Sequence, residues 1–396
     1  MQKKILFLSP QLPYPPFSGG VIKSWKLVEF LSKKYELYLA YFLKNEDAEH
    51  EAAFLSKVKI AGYYSEKIDV PRSAMNLIKS NLKAMPLNLY RNLSKQFADK
   101  TAAMAQQCDV IFVDHYEVYQ YVPRDFKGRV VLHQHNCEYL MWDRFAAVEK
   151  NLIKKIALKN QAWWIKNYER SICNHSDAVL AAPNDIEELK LIGGTDTNYY
   201  ETYHLGDEKL LEAPELAFEN TEHAILFVGT LTWEANVDGL IWFLEEGWAK
   251  LKEQHPDLKF YIVGKNPDPR IVALVETFGG DIILTGFVED LEPYFQKCRV
   301  FVSPLRFGSG IKVKVMNAMY RGIPTVTTSV GAEGMTVQSK IHLMIDDEMG
   351  IFCQDVAQLI NDRELWQKLS KNSRALAQKK YTWQAVMDIV EEAIEA

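Results

Sequence analysis

Residues 301–334, FVSPLRFGSGIKVKVMNAMYRGIPTVTTSVGAEG, carry the clearest structural pattern in the chain. The pattern predicts a strand, a Gly/Ser loop, a helix and a second strand, at residues 299–305, 307–310, 311–321 and 325–329. Gly322 and Pro324 should end the helix, because Gly suits a helix end and Pro cannot continue one. The stretch therefore predicts one βαβ unit.

Basic and amide side chains lie where such a unit binds ligands. Ligands sit at the carboxyl ends of parallel strands, and free N–H groups at a helix start attract phosphate. Arg306 follows the first strand, and Lys314 and Asn317 share a helix face because they are three residues apart. This arrangement is consistent with a site for a diphosphate with a hydroxyl-bearing group attached. A simple turn with solvated basic residues explains the same spacing, since short motifs often match by chance.

The bulk composition limits the class of protein. The length of 396 residues favours two domains, and 48% hydrophobic with 25% charged residues is typical of a water-soluble globular protein. The net charge of −6 argues against general nucleic-acid binding. We find no signal-peptide pattern and no apolar run near the ~20 residues of a membrane span. Five scattered cysteines without a C-x-x-C motif indicate a reducing, cytoplasmic setting and no zinc site.

The start of the chain has a second corner that suits phosphate. Residues 3–9 read as a buried strand, a proline-rich loop follows, and Ser18-Gly19-Gly20 precedes an amphipathic helix. From spacing alone this corner is more simply a helix start. It lacks the G-x-G-x-x-G fingerprint, which disfavours a nicotinamide-dependent dehydrogenase.

Two later strands each end near a histidine. Residues 108–115 end in Asp114-His115, and residues 129–135 end in His133-Gln134-His135. A single histidine at a strand end is more often structural than catalytic. Two of them at one sheet edge are a more specific signal, so we take His115 and His135 as candidate site residues, with Asn136 and Glu138 as weaker ones.

The region from residue 139 to residue 175 reads as one long helical stretch rich in Lys and Trp. Solvated helix faces explain most of this charge, but a basic helix with tryptophan can also rest on an anionic membrane. Residues 193–220 are polar and irregular, and we place the domain boundary there. The second domain then begins with a strand that ends at Gly229. Strands and helices alternate throughout, which predicts an α/β fold.

Residues 301–334 resemble the donor-site signature of family 4 glycosyltransferases, which reads P-L-R-x-G-x-G-x-x-x-K-x-x-E-A-M-A-x-G-x-P-V-V-x-T-x-x-G-x-E-G. The matching positions are Pro304, Leu305, Arg306, Gly308, Gly310, Lys314, Ala318, Met319, Gly322, Pro324, Thr328, Gly331, Glu333 and Gly334. Asn317 stands where that family has Glu, and Ser309 stands where the larger family has a second acidic residue.

The resemblance implies the GT-B architecture, in which two Rossmann-like domains face an interdomain cleft. Residues 1–205 would form the acceptor-binding domain and residues 222–380 the nucleotide-sugar-binding domain. The final helix, residues 381–396, would cross back to the first domain.

The resemblance also implies an activity: metal-independent transfer of a sugar, with retention of configuration, from a nucleotide-diphosphate sugar. The acceptor would be a glycan, a lipid-linked molecule or another hydroxyl compound, as in bacterial polysaccharide biosynthesis. The implied catalytic residues are His115, His135, Arg306 and Lys314. The implied donor-binding residues are Gly19, Gly20, Gly229, Phe287, Gly308, Ser309, Gly310, Asn317 and Glu333. The resemblance implies no metal and no cofactor, because the nucleotide sugar is a co-substrate.

The same resemblance suggests a cytoplasmic protein, with peripheral contact at the inner face of a membrane as a further expectation. Two other functions stay open. The altered positions Ser309 and Asn317 are compatible with a catalytically silent subunit that binds a nucleotide sugar or a partner protein. An epimerase with the same architecture would instead make a new sugar nucleotide without any acceptor.

Overall fold

Two all-parallel β-sheets organise the chain. The computed structural model describes residues 2–16, 19–44, 47–149, 151–193, 197–308 and 310–396. The chain divides into two compact units: the first consists of Met1–His204 with Val386–Ala396, and the second of Leu205–Ala385. The fold class predicted from the sequence, α/β with two Rossmann-like sheets, is confirmed.

The first unit contains a seven-stranded sheet in the order β3-β2-β1-β4-β5-β6-β7. Its strands are β1 Lys4–Ser9, β2 Glu36–Leu43, β3 Gly62–Lys67, β4 Val110–Asp114, β5 Arg129–His133, β6 Ala178–Ala181 and β7 Asn198–Glu201. Its helices are α1 Gly19–Lys34, α2 Glu51–Leu55, α3 Ala74–Leu82, α4 Leu87–Arg91, α5 Lys95–Ala105, α6 Glu138–Val148, α7 Leu152–Asn174 and α8 Pro183–Leu191. A 3₁₀ helix, Tyr116–Tyr121, follows β4.

The second unit contains a six-stranded sheet in the order β10-β9-β8-β11-β12-β13. Its strands are β8 Glu222–Val228, β9 Lys259–Val263, β10 Ile282–Gly286, β11 Cys298–Ser303, β12 Thr325–Thr327 and β13 Met344–Ile345. Its helices are α9 Glu234–Phe243, α10 Ala249–Gln254, α11 Pro269–Thr277, α12 Glu292–Lys297, α13 Val313–Arg321, α14 Ser329–Ala332, α15 Met349–Asn361 and α16 Arg363–Lys380. The last helix of the chain is α17, Trp383–Glu395.

Both sheets reverse their winding direction at one point. In the first sheet the reversal lies between β1 and β4, and in the second it lies between β8 and β11. Loops after the strands that flank such a point open a crevice, which is where ligands bind in doubly wound folds. The reversals therefore single out the segments after Ser9 and Asp114, and those after Val228 and Ser303.

The βαβ unit predicted from residues 301–334 is present as β11, α13 and β12, with ends that differ by at most two residues from the prediction. Helix α13 ends at Gly322, which has a left-handed φ of +79° and donates its N–H to the Ala318 carbonyl at 2.9 Å. That conformation is costly for a residue with a Cβ atom, so Gly is required there.

Two local predictions are refined by the structure. The helical region expected over residues 139–175 consists of two helices, α6 and α7, with Glu149 in an extended conformation between them. The irregular stretch expected over residues 193–220 contains β7, because its Tyr-rich sequence fits the edge of a sheet beside β6.

The core of each unit lies against its sheet. Strand β11 is buried along its whole length, and β1 is buried except for Lys4. Fully buried strands of this kind read as continuous apolar runs, which is typical of parallel sheets covered on both faces. No helix in the described ranges has the length and apolar character needed to cross a lipid bilayer.

The C-terminal helix packs on the first unit through one face. Val386, Val390 and Ile394 are fully buried at helical spacing, and from Val386 onward the helix belongs to the first unit. Lys34 on α1 forms an ion pair with Glu391, and Arg129 Nε donates to the Ala393 carbonyl at 2.7 Å. These contacts join the end of the chain to its beginning.

We expect Ile394→Ala to lower the free energy of unfolding of the first unit by about 2–5 kcal/mol, because it leaves a cavity in a packed face. Glu392→Ala, at an exposed position of the same helix, is the matched control and should change stability by less than about 0.5 kcal/mol. Urea denaturation of the full chain measures both. Equal stability of the two variants would contradict the packing of this helix face.

Candidate functional site

The glycine loop after β11 has a backbone that needs glycine. Gly308 has φ +146° and Gly310 has φ +71°, both in the region that L side chains rarely adopt. A Cβ atom on Gly308 would also come within 3.3 Å of Lys312 Cε. The G-x-G spacing thus reflects a backbone requirement at this strand end. Ser309, the candidate between the two glycines, lies outside the described residues.

Lys314 lies in the first turn of α13 and carries a charge without an acidic partner. Its Nζ donates to Asn236 Oδ1 at 2.5 Å and lies 4.2 Å from the centre of the Phe227 ring. Within the described part of the chain, no carboxylate lies within 4.0 Å of this ammonium group. Burial lowers the pKa of Lys314 to about 7, and the neighbouring Lys312 adds to the shift by repulsion.

Lys312 is a second buried lysine, which the sequence reasoning missed. It is 5% exposed, and its Nζ donates to the Gly310 carbonyl at 2.5 Å and contacts Glu333 Oε2 at 3.3 Å. The signal that could have found it is the K-x-K spacing at the helix start. The two lysines form a positive cluster beside the glycine loop, and the Glu333 carboxylate contacts Lys312.

Asn236 joins the ends of two strands and was also missed as a site residue. Its side-chain amide donates to the Thr230 carbonyl at 2.9 Å, while its oxygen accepts from Lys314. A Cβ atom on Gly229 would lie only 2.8 Å from Asn236 Nδ2. Gly229, predicted as a donor-binding residue, therefore makes room for the amide that fixes Lys314.

Arg306 contacts different residues from those that the two lysines contact. Its guanidinium forms two hydrogen bonds with Asp238 of α9, at 2.8 and 2.5 Å, and lies 5.5 Å from the Trp242 ring. A pocket of about 320 Å³ adjoins it, lined by Trp242, Leu305, Arg306, Thr328, Ser329, Val330 and Asp347. The charge of Arg306 is therefore matched by a carboxylate, whereas that of Lys314 is not.

The Asn317 side chain contacts the protein backbone, whereas the Phe287 ring is exposed. Asn317 Oδ1 accepts the backbone N–H of Asp207 at 2.9 Å, and a Cβ atom on Gly206 would collide with the same oxygen at 2.0 Å. Asn317 thus anchors the segment that opens the second unit. Phe287 follows Gly286, which has φ +72°, and 70% of its surface is exposed. An exposed aromatic ring at the end of a strand is available to stack on a ligand.

In the first unit, a buried carboxylate organises the edge of the sheet. Asp114 ends β4 and is fully buried. Its Oδ1 accepts hydrogen bonds from His133 Nδ1 and His135 Nε2, both at 2.8 Å, and its Oδ2 accepts from Ser24 Oγ at 2.5 Å. A carboxylate can only accept, so each imidazole carries its proton on the nitrogen that faces Asp114.

This proton arrangement leaves two nitrogen lone pairs without partners. His133 Nε2 and His135 Nδ1 are buried and have no hydrogen-bond partner among the described residues. A Cβ atom on Gly20, in the first turn of α1, would lie 3.5 Å from His135 Nδ1. The missing side chain of Gly20 therefore leaves space beside a nitrogen that can accept a hydrogen bond. Gly19 opens the same helix.

His115 completes the group. Its ring stacks on that of His135, with centres 3.5 Å apart and planes 8° apart, and its Nε2 is buried without a partner. Its φ of +79° is unusual for a residue with a side chain. Strain of this kind is found preferentially at functional sites. The structure thus places His115 and His135 together beside Asp114.

Burial controls the protonation of these histidines. Loss of solvation lowers the pKa of His115 to about 3 and those of His133 and His135 to about 4, although Asp114 opposes the shift. Burial alone would raise the pKa of Asp114, but His135, His115 and the two imidazole hydrogen bonds hold it well below its usual range. At neutral pH the group is therefore one carboxylate with neutral imidazoles.

The same residues have side chains that can ligate metal ions. Asp114, His115 and His135 each offer a ligand atom, and these atoms lie within 4.8 Å of one another. The imidazole lone pairs lie in the ring planes, however, and two parallel rings 3.5 Å apart share no in-plane point. One ion cannot bind both rings in this arrangement. The lone pairs are better suited to accept hydrogen bonds from hydroxyl groups.

Lys23 adds a positive charge near this group and was not predicted. It is 2% exposed and donates to Thr202 Oγ1 at 3.0 Å. Burial lowers its pKa to about 7, although Asp114 and Asp185 act in the opposite direction. The sequence signal is weak, because a lysine in the first turns of a helix is ordinarily solvated.

The neutral histidines make stability depend on pH. Since their folded-state pKa values lie below the ordinary value of about 6.5, the unfolded chain binds more protons between about pH 6.5 and pH 4. Their contribution is complete above pH 6.5 and is lost as the pH falls.

We expect His133→Asn, which keeps a donor to Asp114, to reduce the slope of unfolding free energy against pH by about 1.4 kcal/mol per pH unit in this window. Val131→Ala is the matched control, because Val131 is buried on the same strand and does not titrate. Urea denaturation at several pH values gives the slopes. Hydrogen exchange of the first sheet is then measured at the same pH values. Identical slopes in His133→Asn and wild type would show that His133 is already charged in the folded state.

Comparison with known proteins gives a family match for part of the chain and a relative over its length. Residues 222–362 match the family model described as glycosyl transferases group 1. A 44.6 kDa protein from the cps region of Klebsiella pneumoniae is 22% identical over 388 residues, which cover 96% of each chain.

Solved structures support the fold over the whole length. Sucrose-phosphate synthase from Thermosynechococcus elongatus aligns with a TM-score of 0.62 at 16% identity, covering 99% of this chain and 98% of that one. Anabaena HepE, solved in complex with UDP and glucose, aligns with a TM-score of 0.58 at 13% identity, covering 98% and 99%. Residues 222–362 of the second unit thus match the model of the group 1 glycosyl transferases, and the chain as a whole shares its fold with these solved structures.

Proposed function

We propose that the chain transfers a sugar from a nucleotide-diphosphate sugar to a hydroxyl acceptor, with retention of configuration and without a metal ion. The observation that carries the proposal is the buried Lys314 in the first turn of the helix after β11, which among the described residues has an amide and an aromatic ring beside its ammonium group and no carboxylate within 4.0 Å. An anionic group bound there would supply the missing negative charge. A sugar diphosphate has that chemistry. The match to the group 1 glycosyl transferases also lies in this unit.

The leaving diphosphate would be stabilised by charge. Lys314 is fixed by Asn236 and Phe227, so its ammonium group needs little reorganisation when negative charge develops nearby. Backbone N–H groups at Gly308 and Gly310 would add further donors. In the proposal Arg306 contributes less than the lysines, because Asp238 already neutralises it. Gly229, Phe287 and Glu333 would complete the donor site.

The histidine group would hold the sugar. His135 Nδ1 and His115 Nε2 are unpartnered, and sugar hydroxyls are the donors that neutral imidazoles can accept from. Asp114 fixes the tautomer of His135, so the free lone pair always points away from the carboxylate. Gly19 and Gly20, which open α1, would bring backbone N–H groups close to the same ligand.

The acceptor is proposed to be a glycan or a lipid-linked molecule of bacterial polysaccharide biosynthesis, in the cytoplasm. The cps-region relative from Klebsiella pneumoniae supports the polysaccharide context. Five free, buried cysteines are compatible with a reducing compartment.

One observation favours a second candidate function. The Asn317 oxygen, expected from the sequence to bind the donor, already accepts the Asp207 N–H. A silent subunit that binds nucleotide sugar without turnover would agree with this. Thermal-shift screening against nucleotide sugars, followed by a transfer and hydrolysis assay with each donor that binds, separates the two functions. Binding without turnover across an acceptor panel would favour the silent subunit.

The role of Lys314 can be tested by removing its charge. We expect Lys314→Met to reduce turnover by roughly 10²–10³, because it deletes one charge contact to the leaving group. Lys371→Met, at an exposed position of α16, is the matched control and should retain the wild-type rate. Wild-type turnover in a folded Lys314→Met protein would exclude the proposed role.

Donor affinity should also depend on pH. The free protein loses the Lys314 charge as the pH rises through about 7, whereas a sugar-capped diphosphate keeps its charge. We therefore expect affinity to weaken above pH 7, by up to about tenfold per pH unit. Calorimetric titration between about pH 6 and pH 9 measures this. The dependence should disappear in Lys314→Met, and its persistence there would assign it to another group.

A further inference from the structure

Helix α3 and the first half of α7 form an open apolar groove on the first unit. The groove has a volume of about 810 Å³. Its apolar lining comes from Ala74, Leu77, Ile78, Leu82, Ile153, Ile156, Ala157 and Trp164. We call these two segments, residues 73–83 and 151–164, the α3/α7 surface. None of its residues belongs to the histidine group of the first unit or to the glycine loop of the second, so neither site explains it.

Large apolar side chains project from the α3/α7 surface into solvent. Leu82 is 82% exposed and Ile153 is 81% exposed. Met75, Ile78, Leu152, Ile156 and Trp163 are also more than half exposed. On α3 these residues recur three and four apart, and on α7 the spacing is similar, so each helix presents one apolar face outward. Contiguous exposed apolar patches of this kind mark surfaces that bind a partner.

The α3/α7 surface is basic although the chain is acidic overall. Residues 73–83 and 151–164 contain five lysines and no acidic residue, in a chain of net charge −6. The lysines are Lys79, Lys83, Lys154, Lys155 and Lys159. Glu149 is the one acidic side chain among the described residues that line the groove, and it forms an ion pair with Lys154 at 2.5 Å.

The two helices are held in fixed positions before any partner binds. Gln161 of α7 is fully buried, donates to Ser80 Oγ of α3 at 3.1 Å and accepts the Leu87 N–H at 2.6 Å. The side chains of Ser73 and Asn151 cap the starts of α3 and α7. The surface therefore requires little ordering on binding, which removes a large entropic cost.

We infer that the α3/α7 surface docks the first unit on an anionic lipid bilayer. Apolar side chains and a tryptophan on one face, flanked by lysines, are the features of structures that lie in the membrane interface. The apolar tips would enter the acyl boundary, and the lysines would meet the acidic headgroups. The sequence suggested membrane contact along residues 139–175. The structure points instead to α3 together with the first half of α7.

Vesicle co-sedimentation of the full chain, without nucleotide sugar, tests the inference. The chain should bind vesicles containing roughly one-third phosphatidylglycerol, bind phosphatidylcholine vesicles much more weakly, and be released by added salt. The double variant Leu82→Ser with Ile153→Ser should lose partitioning by roughly tenfold or more per residue. Leu191→Ser, at a residue 79% exposed on α8, is the matched control and should bind as wild type.

A charge pair provides the second arm. Lys79→Glu with Lys159→Glu should weaken binding to anionic vesicles, whereas Lys127→Glu, exposed elsewhere on the first unit, should not. Failure of the wild type to bind anionic vesicles, or full binding by the Leu82/Ile153 variant, overturns the inference. So does a dimer that the same variant dissociates, because a second copy would then cover the surface. Donor binding is measured separately, so loss of the proposed transferase function leaves this result unaffected.

Discussion

Parallel pairing of every strand is the constraint on which both units depend. Parallel strands need a crossover helix between them, so all strands of a sheet end at the same edge. Winding outward from β1 and then from β4 opens that edge at one point, and β8 with β11 repeats the arrangement. Polar residues at the strand ends are therefore brought together even when they are far apart in sequence. Asp114, His133 and His135 meet in this way, as do Gly229 and Lys314 through Asn236.

The buried charges at the edges of the two sheets have different kinds of partner. In the first unit, the Asp114 carboxylate is matched by three hydrogen-bond donors, and the surrounding imidazoles stay neutral. In the second unit, Lys314 has an amide and an aromatic ring around it instead of a carboxylate. A satisfied carboxylate makes a rigid support, whereas an unmatched ammonium group is prepared for an anionic ligand. In the proposed function, the first arrangement would position a neutral sugar and the second would bind a diphosphate.

Glycines near the two candidate sites are required by a neighbouring side chain or by the backbone conformation. Gly229 leaves room for Asn236, and Gly206 leaves room for Asn317. Gly308 and Gly310 adopt backbone conformations that other residues avoid. The α3/α7 surface shows the opposite use of side chains, since its large apolar residues are left outside the core. Glycines in unusual backbone conformations and large apolar side chains in solvent both make the folded state less stable than it could be. Such a loss of stability is typical of positions kept for binding.

The sequence alone determined the α/β fold, the βαβ unit with its Gly322 stop, and the candidate site segments, because these depend on local periodicity and on glycine and proline chemistry. The tertiary structure decided which side chains meet. Lys312, Asn236 and Lys23 were missed, since burial and partners come from distant strands. Arg306 pairs with Asp238 across 68 residues of sequence, and Asn317 binds the Asp207 backbone across 110. Periodicity cannot show such contacts, because they form only when the fold brings together segments that are far apart in sequence.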